Sequence, residues 1–193
     1  MNHIIRELDE KTINLIAAGE VVESPASVVK ELIENSIDAN AKSIVIEIKN
    51  GGKDYIRITD DGFGIPQSQV EKAFMRHTTS KLSTFSDFNT LRTNGFRGEA
   101  LASIASVSNI SITTKVASSI NGTYLQISAG QVIENYSIGA KDGTTIIVED
   151  LLFNTPARRN FLKSNQAESA KITDTIIKLG IIHQNIKFKY INN

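Results

Sequence analysis

Four segments between residues 109 and 150 follow one another with only short turns between them, and this limits the architectures open to the chain. They are NISITTK (109–115), TYLQISA (123–129), VIENYSI (132–138) and TTIIVED (144–150). Their side chains alternate with a period of two, which places them on opposite faces of a strand. Asn121-Gly122, Ala129-Gly130 and Asp142-Gly143 supply the turns, because Gly and Asn tolerate backbone conformations that reverse a strand. Two more alternating runs, SIVIEI (43–48) and YIRITD (55–60), flank Gly51-Gly52, and IKFKYI (186–191) reads as a last strand. Strands grouped in this way favour an α+β two-layer sandwich over a doubly wound sheet, in which strands and helices alternate strictly.

The helical segments lie between these groups. Ser24-Pro25 combines a capping hydroxyl with Pro at the first helical position, and predicts a helix running to about Ala39. QSQVEKAFMRH (67–77), the small-residue run GEALASIASVS (98–108), ARRNFLKS and AESAKITDTIIKLGII also read as helical. Residues 78–98 are polar and Gly-containing, a long loop of the kind that is usually functional or disordered. Residues 1–20 read as a short helix packed on the core or as an arm that closes over a ligand or partner.

Composition excludes several functions. With 193 residues, 40% of them hydrophobic, the chain suits one good-sized core. Lys plus Arg and Asp plus Glu both number 21, so the basic excess of a stand-alone DNA-binding domain is absent. There is no Cys, which removes disulfides, thiol nucleophiles and Cys-ligated zinc, and His3, His77 and His183 lack metal-ligand spacing. No apolar run approaches membrane-span length, and Ile13 to Ala18 lacks the layout of a signal peptide. The chain therefore reads as cytoplasmic, and the glycosylation triplets at Asn109, Asn121 and Asn135 carry no meaning.

Four places carry candidate chemistry. Glu31, Asn35 and Asp38 fall at i, i+4 and i+7, one stripe of the first long helix beside Val28, Leu32 and Ala39. There Glu31 suits a general base on a water, and the Asn35 amide oxygen suits the shell of Mg²⁺, a hard cation that prefers oxygen. A solvated helix face would show the same residues. In TDDGFGI (59–65) a strand ends at Asp60, and Gly62 and Gly64 open the backbone, so the carboxylate could accept a hydrogen bond from an exocyclic amine such as that of adenine. An ordinary Gly-containing turn reads alike. In TNGFRGEALAS (93–103) Gly95 and Gly98 flank Phe96-Arg97 ahead of a helix, an arrangement that suits phosphate oxygens and equally an ordinary loop-to-helix junction. Lys81 with the hydroxyls of Thr79 and Ser80, in HTTSK (77–81), could contact phosphate. Thr144, opening a strand in DGTTI (142–146), could back Asp60.

In this order and spacing the set resembles the nucleotide-binding motifs of the GHKL superfamily, shared by gyrase-type topoisomerases, heat-shock chaperones, histidine kinases and MutL proteins. IAAGEVVESPASVVKELIENSIDA (16–39), RHTTSKL (76–82), GFRGEALASI (95–104) and NTPARRNFL (154–162) resemble the MutL family of DNA mismatch-repair proteins in particular, across most of the chain. The resemblance implies a two-layer α/β sandwich with a mixed, mostly antiparallel sheet, and an ATP site with Mg²⁺. It implies Glu31 as catalytic base and Asn35 as the Mg²⁺-linked residue. Asp60 and Thr144 would lie at adenine, with Gly64 in the same motif. Thr79, Ser80, Lys81, Gly95, Phe96, Arg97, Gly98, Glu99, Ala100 and Leu101 would lie around the phosphates. The whole chain, 1–193, would form one ATPase domain, with residues 1–20 as an arm joining an ATP-dependent homodimer and residues 76–98 as the lid. The partners implied are weakly and non-specifically bound DNA and a mismatch-recognition protein of the MutS type. The resemblance also implies a transducer domain and a C-terminal dimerisation domain beyond Asn193. A nucleotide-binding dimerisation module with negligible hydrolysis fits the same motifs. Asp61 departs from the pattern, standing where many relatives carry Asn.

Overall fold

The structure, a computed structural model, describes residues 21–76, 78 and 98–193, with residues 13, 18 and 19. In chain order the elements are α1 (Pro25–Asp38), β1 (Ser43–Lys49), β2 (Tyr55–Asp60), α2 (Gln67–Val70), α3 (Ala100–Ser106), β3 (Asn109–Lys115), β4 (Gly122–Ser128), β5 (Gln131–Ile138), β6 (Gly143–Glu149), α4 (Pro156–Asn160), α5 (Asn165–Ile182) and β7 (Lys187–Asn192). The strands form one sheet in the order β5-β4-β3-β6-β2-β1-β7. All neighbours are antiparallel except β1 and β7, which run parallel. The expected mixed, mostly antiparallel sheet is therefore present. The parallel pair follows from connectivity, since α4 and α5 stand between β6 and β7 and return the chain for a crossover.

Register turns sequence alternation into a core. Ile46, Ile58, Ile146, Ile112 and Leu125 pair in turn across β1, β2, β6, β3 and β4. Ile48, Ile56, Val148, Ile110 and Ile127 form the next row in the same way. These residues are buried with Val28, Val29, Leu32 and Ile33 of α1 and Ile172, Ile176 and Leu179 of α5. Each such side chain contributes about 1.5–3 kcal/mol by leaving water, enough to fix α1 against the sheet.

Helix α1 begins as its sequence predicts. Ser24 Oγ caps the Ser27 amide, Pro25 occupies the first turn, and the helix stops at Ala39. The expected helix over 67–77 is instead a four-residue turn of α-helix, then a 3₁₀ turn at Lys72–Phe74, with Met75 extended. Val70 is its one buried residue among those of the two turns, so no apolar stripe holds a longer helix in place. The run ARRNFLKS is likewise helical only as far as Asn160.

Candidate functional site

A third row of inward-facing residues runs parallel to the two apolar ones, and it is polar. Asp60 pairs with Thr144, Thr144 with Thr114, and Thr114 with Thr123. The same alternation that buries Ile58 and Ile112 therefore delivers a carboxylate and hydroxyls to one end of the sheet, beneath α1. A cavity of about 1060 Å³ opens there. That size stands at the upper end of small-molecule sites, which span roughly 300–1,000 Å³.

The carboxylate of Asp60 is held from several sides. Ser36 Oγ donates to Oδ2 at 2.8 Å, the Gly62 amide donates to Oδ1 at 2.9 Å, and the Thr144 amide donates as well. Burial raises its pKa above the usual carboxylate value and outweighs these donors, which pull it down. Thr114 Oγ1 lies 3.0 Å from Thr144 Oγ1 and accepts from the Ile65 amide at 2.9 Å, so it joins the strand to the glycine loop. Ile58, Ile65, Ile146, Val116 and Leu101 give the cavity apolar walls around this polar floor.

Helix α1 supplies the opposite wall. Glu31, Asn35 and Asp38 all line the cavity, as one stripe of a helix should, with Leu32, Ser36 and Ala39 beside them. Glu31 is partly exposed and lies 3.6 Å from Lys30 Nζ, which also pairs with Glu34 at 2.7 Å. Burial opposes the Lys30 charge, but Glu34 and Glu31 outweigh it and raise its pKa, so a cation stays beside Glu31.

Two glycines allow the floor to close. Gly64 has φ +72, and a Cβ there would stand 2.1 Å from the Lys115 carbonyl oxygen. Gly143 has φ +112, and its Cβ would meet the Asp60 carbonyl oxygen at 2.2 Å. Only glycine fits either place without moving backbone. Asp61 points elsewhere: its Oδ1 accepts from the amides of Lys42 and Ser43 at 2.7 and 2.8 Å, fastening the start of β1. Burial pushes the Asp61 pKa up, and those amides outweigh it, leaving the value lowered.

The structure thus gathers Glu31, Asn35, Asp60, Gly64, Gly98, Ala100, Leu101 and Thr144 around one cavity. Glu99 is not among its lining residues; its carbonyl caps α3 by accepting from Ser103. Thr79, Ser80, Lys81, Gly95, Phe96 and Arg97 lie outside the described residues, as do most of the 1–20 arm and the 76–98 lid. Sequence reasoning missed Ser36 and Thr114. Thr114 had a signal: it continues the inward series Ile110, Ile112, at the position where a core residue should be apolar. Ser36 had a weaker one, a small polar residue one position past Asn35. Among the described residues no group of three or more His, Cys, Asp or Glu could hold a metal, and no helix is long and apolar enough to cross a membrane.

Residues 22–151 match the family described as histidine kinase-, DNA gyrase B-, and HSP90-like ATPase, and the chain belongs to that family. Within it the similarity is to MutL. The chain is 52% identical over 186 residues, 96% of its length, to the DNA mismatch repair protein MutL of Agathobacter rectalis. It is 51% identical over 189 residues, 98% of its length, to that of Thermoanaerobacter pseudethanolicus. The chain spans under a third of these relatives, 29% and 31% of their lengths. Among solved structures, the Aquifex aeolicus MutL ATPase domain complexed with ADP superposes with a TM-score of 0.75 at 32% identity, covering 89% of this chain and 61% of that one. The crystal structure of the N-terminal domain of a DNA repair protein gives a TM-score of 0.78 at 32% identity, over 93% of this chain and 52% of that one. The chain is thus similar to part of a MutL ATPase domain, covering 61% of the Aquifex aeolicus chain.

Proposed function

We propose that the cavity binds ATP with Mg²⁺ and hydrolyses it, and that the chain serves as the ATPase switch of a DNA mismatch-repair protein. The observation that carries this reading is the convergence of Glu31, Asn35, Asp60, Gly64 and Thr144 on one cavity. The residues suit the ligand. A carboxylate fixed by three donors and flanked by a hydroxyl is an acceptor for the exocyclic amine of adenine, and the aliphatic walls suit the faces of a purine. The backbone at Gly98 and the start of α3 suits phosphate oxygens, with Thr79, Ser80, Lys81, Gly95, Phe96 and Arg97 completing that end.

The donors beside Glu31 suit Mg²⁺ by type. Asn35 and Asp38 offer oxygen, and the described lining residues include no His or Cys. Mg²⁺, when bound, would neutralise charge on the β- and γ-phosphates. Asn35 would hold it. Glu31 takes a proton from a water whose oxygen bonds to the γ-phosphorus, and the bond from that phosphorus to the β–γ bridging oxygen breaks. The products are ADP and inorganic phosphate. Residues 76–98 close over the nucleotide, and residues 1–20 join a homodimer contact, which presents a surface to DNA and to a mismatch-recognition protein of the MutS type.

Glu31→Ala tests the chemistry. It keeps nucleotide binding and loses hydrolysis, as removal of a general base costs about 10²–10⁴-fold. Turnover at the wild-type rate would show that Glu31 is not the base.

A further inference from the structure

The segment that leads into α1 is tied to α4 by the side chain of Arg158. Ala18, Gly19 and Val21 are helical, and the Val22 amide donates to the Ala18 carbonyl at 2.9 Å. Ala18 and Val22 are fully buried, and Ser24, two residues on, caps the helix that carries Glu31 and Asn35. A helical turn that ends leaves its last carbonyls without intrahelical donors. Arg158 in α4 serves the last of them: its Nη2 donates to the Val22 carbonyl and also stands 3.4 Å from that of Ala18, which the Val22 amide already meets. A cation at this end also opposes the negative end of the peptide dipoles.

The guanidinium is presented on a braced platform. Arg159, the next residue, pairs with Asp54 at 2.9 Å and so anchors α4 to the turn before β2. Gly19 lies beside the guanidinium: a Cβ there would stand 3.9 Å from Cζ and 4.0 Å from Nη1, ordinary contact distances. Arg158 Nη1 is buried and has no hydrogen-bond partner among the described residues.

We infer that Arg158 is a positioning residue for the ATPase reaction: by holding the Ala18 and Val22 carbonyls, it fixes the segment that leads into α1, the helix that carries Glu31 and Asn35. The role of α1 in hydrolysis rests on the function proposed above; the latch itself does not. Arg158 lies outside the cavity lining, so it acts through the segment it holds.

The test compares wild type, Arg158→Lys and Arg158→Ala in the intact protein, by amide hydrogen exchange without nucleotide and by Mg-ATP binding and turnover. In Arg158→Ala the Val22 amide exchanges about tenfold faster or more, as expected on losing a hydrogen bond from a charged donor. The Ile46 and Ile58 amides in the sheet keep wild-type rates. Nucleotide affinity stays within about threefold, because the cavity does not share the contact, while kcat falls. Arg158→Lys is intermediate, since an ammonium reaches one carbonyl without the fork. Unchanged Val22 exchange in Arg158→Ala overturns the latch, and so does a uniform acceleration that includes Ile46 and Ile58. If wild type neither binds nor turns over ATP, the proposed function fails and the exchange comparison still decides the latch.

Discussion

Ser36→Ala isolates the support that sequence reasoning overlooked. The Ser36 hydroxyl is buried and donates to Asp60 Oδ2 at 2.8 Å. A hydrogen bond to a charged group contributes about 1.5–3 kcal/mol, and the substitution leaves little void, so Ser36→Ala should lower unfolding stability by about that amount at pH 7. The loss should itself depend on pH. Burial holds the Asp60 pKa above its unfolded value, so the stabilisation from protonated Asp60 is full below the unfolded pKa and is lost as pH rises through the folded one. Removing the Ser36 donor raises the folded pKa further. The two proteins should therefore differ little in acid, where both carry a neutral Asp60, and diverge as pH rises through the wild-type folded pKa and then the variant's. Urea unfolding of both proteins across that range measures the difference. A cost under about 0.5 kcal/mol at pH 7, or one that is the same in acid, would refute the claim that Ser36 serves the ionised carboxylate.

Gly64→Ala should lower both thermal stability and nucleotide affinity. A left-handed backbone costs a non-glycine residue about 1–2 kcal/mol, and the new Cβ would stand 2.1 Å from the Lys115 carbonyl oxygen, forcing the loop off β3. A melting curve and a titration with a non-hydrolysable ATP analogue check this, and wild-type values in both would contradict it. ATP affinity should fall on acidification as Asp60 is protonated, beginning at a higher pH than an ordinary Asp would give, because burial raises the Asp60 pKa. Affinity and the Asp60 contribution to stability should thus move in opposite directions with pH, which calorimetry at several pH values, paired with unfolding, can establish. The hydrolysis loss in Glu31→Ala is checked by phosphate release beside a binding isotherm.

Much of the site was legible because it follows periodicity. The stripe Glu31, Asn35, Asp38 needed only the helical repeat that Ser24-Pro25 starts, and all three line the cavity. The strand end at Asp60 and the strand start at Thr144 were also readable, and Thr144 was expected to back Asp60, but the addition of Thr114 to that pair was not readable. That pairing depends on the strand order β3-β6-β2, which joins segments far apart in sequence. Ser36 became functional only through its contact with Asp60, 24 residues away. The helix expected over 67–77 failed for a related reason: helix propensity favoured it, while packing fully buries only Val70 among its described residues, with Phe74 partly buried. Asp61 stands outside the cavity lining, and its carboxylate fastens β1, so this departure from the family pattern leaves the Asp60 carboxylate in its place.

The central claim is that the Asp60 carboxylate forms the base-recognition floor of an ATP site, and Mg-ATP calorimetry on wild type and Asp60→Ala tests it most directly. Wild type should bind, and Asp60→Ala, shown to be folded by circular dichroism, should bind about tenfold to a hundredfold more weakly, the range for losing a hydrogen bond to a charged acceptor. Equal affinity in the two folded proteins would contradict the account.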